Sequence, residues 1–87
     1  MFLHLGGEAI VRKKDVVAIF DMDNTTISRS SREFLAHAQE SGIVVNVSDE
    51  LPKSYVVTQS EEGARVYISS ISPATLLKRS RGKNVLI

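Results

Sequence analysis

Three runs near the middle of the chain, residues 43–47 (IVVNV), 54–59 (SYVVTQ) and 65–69 (RVYIS), limit the folds open to it more than any other feature. Each is rich in β-branched and aromatic residues, which suit a pleated, half-buried strand. The gaps between them, Asp49-Glu50-Leu51-Pro52 and Ser60-Glu61-Glu62-Gly63, consist largely of acidic and turn-forming residues. A parallel crossover takes a dozen residues or more, so strands this close in sequence are expected to pair antiparallel. The second gap reads as a hairpin turn.

Upstream, residues 2–5 and 9–11 read as short strands around Gly6-Gly7, and residues 16–21 (VVAIFD) as a stronger one. Ser30-Ser31-Arg32-Glu33 has the Ser-x-x-Glu spacing of a capping box and opens a helix. Phe34, Leu35 and Ala38 fall on one face of that helix, and Ser41-Gly42 ends it. Ser72-Pro73 starts a second, shorter helix, with serine at the cap and proline at the first helical position, running through Leu76 and Leu77 into a basic tail. The order predicts an α+β fold: a small, mostly antiparallel sheet with one main helix and a short C-terminal helix. Residues 1–80 form the domain and residues 81–87 a basic and apolar tail. A chain of 87 residues, 43% of them hydrophobic and 24% charged, suits one ordinary globular domain. Folding at this size buries roughly 60–65% of the extended chain's surface.

The strands are apolar on both faces. In residues 16–21, Val16, Ala18 and Phe20 point one way and Val17 and Ile19 the other, and Val44, Val56 and Tyr67 repeat the pattern. Two helices of this length cover one sheet face, and soluble monomers rarely expose a large apolar patch. The expectation is that another subunit covers part of the second face. The alternative is that loops and the end Val85-Leu86-Ile87 fold back over it.

An apolar strand running into Asp21-x-Asp23-x-Thr25 also matches the way aspartyl phosphotransferases present a nucleophile beside magnesium. That chemistry needs a lysine and further carboxylates at the ends of other parallel strands. Here the later acids, Asp49-Glu50 and Glu61-Glu62, lie in turns, and the chain after Thr25 has room for at most two crossover units. Asp, Asn and Thr are also ordinary residues for a turn leading to a helix. A magnesium-dependent phosphatase therefore ranks as a distant alternative, and no catalytic residue is assigned. His4 and His37 have no carboxylate or second histidine at ligand spacing, so neither metal nor cofactor is expected.

The absence of cysteine removes thiolate chemistry and fits a reducing cytosol. The first residues have no secretory signal pattern, and no apolar run approaches the length of a membrane span, so a cytoplasmic protein without a membrane partner is expected. The formal charge is only +1, but basic residues gather as Arg12-Lys13-Lys14 and again from Lys78 through Arg79 and Arg81 to Lys83.

The stretches LHLGGEAIV, KDVVAIFD, REFL, PKSYVVT and YISSISPATLLKRS, spanning about Phe2 to Ser80, resemble the bacterial extracellular-matrix regulators of the Rem type. In that family the Ile-Phe-Asp strand end recurs without the full Asp-x-Asp-x-Thr pattern, which makes Asp23 and Thr25 incidental. The resemblance implies a non-enzymatic transcriptional regulator of biofilm-matrix genes that forms a ring-like homo-oligomer and binds DNA through basic residues repeated around it. Relatives place an arginine at the junction before the second long strand, whose nearest equivalents here are Lys13 and Lys14, and the resemblance gives the basic clusters as a whole a use, so the DNA-binding candidates are Arg12, Lys13, Lys14, Lys53, Lys78, Arg79 and Arg81. Relatives have an arginine cluster in the loop before the Val-Val strand; this chain has Asp49-Glu50-Leu51-Pro52-Lys53, one lysine and two acids. A different reading is a protein-binding module that modulates another regulator through the acids at 49, 50, 61 and 62.

Overall fold

The computed structural model describes residues 1–22 and 29–81. In chain order these form β1 (Phe2–Gly6), β2 (Ala9–Arg12), a single 3-10 turn (Lys13–Asp15), β3 (Val16–Asp21), α1 (Arg29–Glu40), β4 (Val44–Asn46), β5 (Ser54–Ser60), β6 (Gly63–Ser69) and α2 (Pro73–Arg81). Strands β3 to β6 make a four-stranded sheet in the order β3-β5-β6-β4, and β1 and β2 form a separate antiparallel pair. The α+β class and the two helices agree with the sequence reading.

The pairing is antiparallel except at one edge, where β4 lies parallel to β6. Helix α1 is the reason. It returns the chain across the sheet between β3 and β4, the two outermost strands, which run the same way. The β5–β6 hairpin, turning at Glu61-Glu62 with Ser60 opposite Gly63, fills the space between them.

The helix ends show which local signals held. Helix α1 already includes Arg29, so Ser30 lies within its first turn and is not the cap residue expected from the Ser-x-x-Glu spacing. Glu33 instead accepts a 3.2 Å hydrogen bond from Arg29 Nε, an exposed pair of little energetic weight. At the other end the Ile43 amide donates to the Ala38 carbonyl and the Gly42 amide to Gln39, each at 3.2 Å. With Gly42 at φ +74, this is the Schellman arrangement, and glycine alone adopts that backbone without a Cβ penalty. Ser72 caps α2, its hydroxyl accepting from the Thr75 amide at 3.3 Å.

Two apolar clusters sandwich the sheet. On one face Ala38 of α1 packs with Val57 and Val66, joined by Ala18, Phe20, Leu35, Ile43, Val44 and Tyr55. On the other, Val56 meets Leu3 and Leu5 of β1, Val11 of β2 and Leu76 of α2, with Val16, Ile19, Tyr67 and Ile71 around them. The expectation that a neighbouring subunit covers the second face is thereby corrected: the N-terminal hairpin and α2 cover it within one chain. The sequence argument counted only the two helices as cover and did not count the first two strands. Residues 85–87, the alternative cover, lie outside the described residues.

Of two buried serines, Ser69 ties the hairpin to the sheet and Ser54 holds the segment that leads into α2. Ser69 donates its hydroxyl to the Leu5 carbonyl at 2.7 Å and accepts from the Ile71 amide at 3.0 Å, while Ser54 donates to the Ile71 carbonyl at 2.8 Å. Such bonds satisfy polar groups that would otherwise be costly to bury. At the hairpin turn Gly7, at φ +53, leaves no room for a side chain, since a Cβ there would stand 2.8 Å from the Val47 carbonyl oxygen.

Strand β3 also departs from strict alternation. Val16 pairs with Thr58 and Ala18 with Val57, so Val17 is an extra residue, a β-bulge. Val16 therefore shares the hairpin face with Ile19, while Ala18 and Phe20 face α1. This revises the facing read from alternation. Val17 is left 65% exposed.

Candidate nucleic-acid interface

The two basic segments are about 65 residues apart in sequence, and the fold brings them together. The Lys13 ammonium donates a 2.8 Å hydrogen bond to the Ser80 carbonyl in the last turn of α2. One residue earlier, Arg79 Nη1 donates to the His4 carbonyl of β1 at 3.3 Å. Leu3, Val16, Val17, Ile19, Leu77 and Ser80 line a cavity of about 280 Å³ with Lys13, so its aliphatic stem runs over apolar surface to reach the carbonyl. A lysine at a helix C-terminus satisfies a free carbonyl and complements the negative end of the helix dipole.

This geometry sorts the sequence-derived candidates. Lys13 is half-buried and committed to Ser80, and Arg79 is committed to β1. Lys14, Lys78 and Arg81 are exposed. Lys78 and Arg81, three apart on α2, share a helix face. Arg12 is also exposed but paired with Asp15, Nε to Oδ2 at 3.0 Å, which offsets its charge locally. The result is a cationic ridge made from the 3-10 turn and the end of α2.

Its boundary lies on the Arg12 side. There a cleft of about 470 Å³ is lined by Arg12 and Arg65 but also by Asp15, Glu61 and Glu62, so acids outnumber bases. Arg65, which the sequence reading did not single out, belongs to this mixed cleft. An isolated arginine within a strand pattern gave no signal for it.

Lys53 stands apart from the ridge. It precedes Ser54, opposite Asp21, whereas Lys13 and Lys14 lie near the Val16–Thr58 end of the β3–β5 pair. Four residues of strand separate the two ends, roughly 13 Å. The Lys53 backbone is held at its own end by the Ser69 carbonyl at 2.8 Å and the Met22 amide at 3.0 Å.

The phosphotransferase pattern finds a different setting. Asp21 closes β3, whose one strand neighbour among the described residues is the antiparallel β5, and Asp23 and Thr25 lie outside the described residues. A doubly wound core would place that strand among parallel neighbours. His4 Nε2 donates to the Gly7 carbonyl at 2.9 Å within the hairpin, and His37 is exposed on α1. No described helix is long and apolar enough to cross a membrane.

If Lys13 is a clamp between the 3-10 turn and α2, Lys13→Met keeps the stem and removes the bond. The expected cost is about 1–2 kcal/mol of unfolding free energy, measured by urea denaturation, against no measurable change for Lys14→Met. Equal effects for the two would remove the distinction.

Comparison with known proteins supplies the remaining observation. The family model RemA-like, described as extracellular matrix regulatory protein A-like, matches residues 2–79. The chain is 37% identical over 81 residues to extracellular matrix regulatory protein B of Bacillus subtilis (strain 168), covering 93% of this chain and 91% of that protein.

Proposed function

This chain belongs to the RemA-like family of extracellular matrix regulatory proteins, and on that premise we propose that it regulates matrix genes by binding DNA as a homo-oligomer in the cytoplasm, without catalysis. The observation that carries the proposal is the Lys13–Ser80 junction, which joins two basic segments of a nearly neutral chain into one ridge. Lys14, Lys78 and Arg81 present their charges to solvent on that ridge and would contact phosphates. Lysine offers a point charge without the planar fork that reads guanine, so most of the affinity is electrostatic and sequence-tolerant. Repeating the ridge around a ring would give a continuous positive belt. Lys53 would join that belt only through the placement of neighbouring subunits.

The test is fluorescence anisotropy of a promoter-length duplex titrated with the protein at several salt concentrations. The expected result is binding at low salt whose logarithm falls linearly with the logarithm of salt concentration. Absence of binding at low salt would move the reading to its rival, a protein-binding module acting through the exposed acids Asp49, Glu50, Glu61 and Glu62.

A further inference from the structure

The N-terminal hairpin and α2 cover the second sheet face only in part. Val56 and Tyr67 pack under that cover, but toward the β5–β6 turn a cleft of about 470 Å³ opens between the hairpin and the sheet. That volume lies in the range of small-molecule sites. Its apolar surface includes Phe2, Ile10 and Tyr67, the first two more than half exposed. The turn on the opposite side is pinned: the Ser60 hydroxyl accepts from the Glu62 amide at 3.2 Å and donates to the Gly63 carbonyl at 3.4 Å.

The charged side chains that line the cleft differ in what they already hold. Arg12 and Asp15 close on each other, as described above. Arg65, Glu61 and Glu62 border the same cavity, yet none of their side chains makes an ion pair among the described residues. Register explains why. Arg65 stands opposite Thr58, two pairs in from the Ser60–Gly63 end, so its Cα is roughly 7 Å along the strand from Gly63 and further from the glutamates of the turn. The cleft thus presents one uncommitted guanidinium and two uncommitted carboxylates, held apart over an apolar floor. A simple anion there meets the two glutamates, and a simple cation meets Arg65. A molecule that carries both signs, with an apolar body between the walls, satisfies all three surfaces at once.

We propose that the cleft binds a free α-amino acid with an apolar or aromatic side chain. The Arg65 guanidinium takes the carboxylate, for which its planar fork is suited, and a glutamate of the turn takes the ammonium group. The side chain of the ligand lies against Phe2, Ile10 and Tyr67. The site uses none of the exposed cations of the ridge, so it stands or falls separately from the DNA reading.

The probe is L-phenylalanine, titrated into the protein while amide chemical shifts are read by NMR. Two analogues that each lack one charge, phenylalanine amide and N-acetyl-phenylalanine, are titrated in parallel. Phenylalanine is expected to bind at millimolar concentration, with shifts centred on the β5–β6 turn and the β2 edge, and each analogue to bind about 10-fold more weakly, the loss of one charged hydrogen bond. Arg65→Gln should make phenylalanine and its amide bind alike, and the double variant Glu61→Gln/Glu62→Gln should do the same for phenylalanine and the N-acetyl compound. All three positions are exposed, and thermal melts check that the variants fold. Lys14→Ala, on the ridge, should leave the affinity unchanged. An absence of shifts at millimolar phenylalanine, an analogue that binds the wild type as tightly as phenylalanine, or a loss of binding in Lys14→Ala would overturn the site.

Discussion

Leu76→Ala is expected to lower the free energy of unfolding by about 2–5 kcal/mol, enough to leave a domain of this size close to its limit of stability. Leu76 is fully buried in α2 and packs with Leu3, Leu5, Val11 and Val56, so it is the point where helix, hairpin and sheet meet. Alanine there loses the transfer energy of the missing carbons and leaves a void that three separate elements cannot close together. The neighbouring Leu77→Ala, at a side chain 42% exposed, should cost under about 1 kcal/mol and serves as the control. Urea denaturation reads both, the midpoint moving for Leu76 with little change in slope. An effect below about 1 kcal/mol at Leu76 would mean that α2 is not an integral part of the cooperative unit.

The second large effect concerns the ridge. Replacing Lys14, Lys78 and Arg81 together by alanine removes three exposed cations without touching the Lys13–Ser80 or Arg79–His4 bonds. Each phosphate contact contributes about 0.9 to the slope of log affinity against log salt, so the triple variant should bind with a slope smaller by about 2.7 and with sharply reduced affinity at low salt. Its urea midpoint should stay that of the wild type. A triple variant with an unchanged slope would place the phosphate contacts on another surface.

Much of the architecture was legible because several levels of the sequence agree. The β-branched runs, the Ser72-Pro73 start and the Gly42 stop each announce an element by chemistry that depends only on near neighbours. What was not legible depends on distant partners. The capping box at Ser30 was displaced because α1 already includes Arg29. The facing of β3 was misread because nothing local in Val16-Val17-Ala18 marks a bulge. The cover of the second sheet face was assigned to another subunit because β1 docks through Ser69, a serine that looks unremarkable in a strand pattern. Among candidate site residues, the basic clusters were visible as composition. Their union was not, because it depends on a lysine meeting a main-chain carbonyl 67 positions away.

The extra residue at Val17 has a consequence beyond the direction of side chains. Strand β3 is an outermost strand, and an uninterrupted border of that kind presents regularly spaced amides and carbonyls on which a stray strand can add. The insertion breaks that spacing and sharpens the local twist, so the border is a poor template for open-ended stacking into fibres.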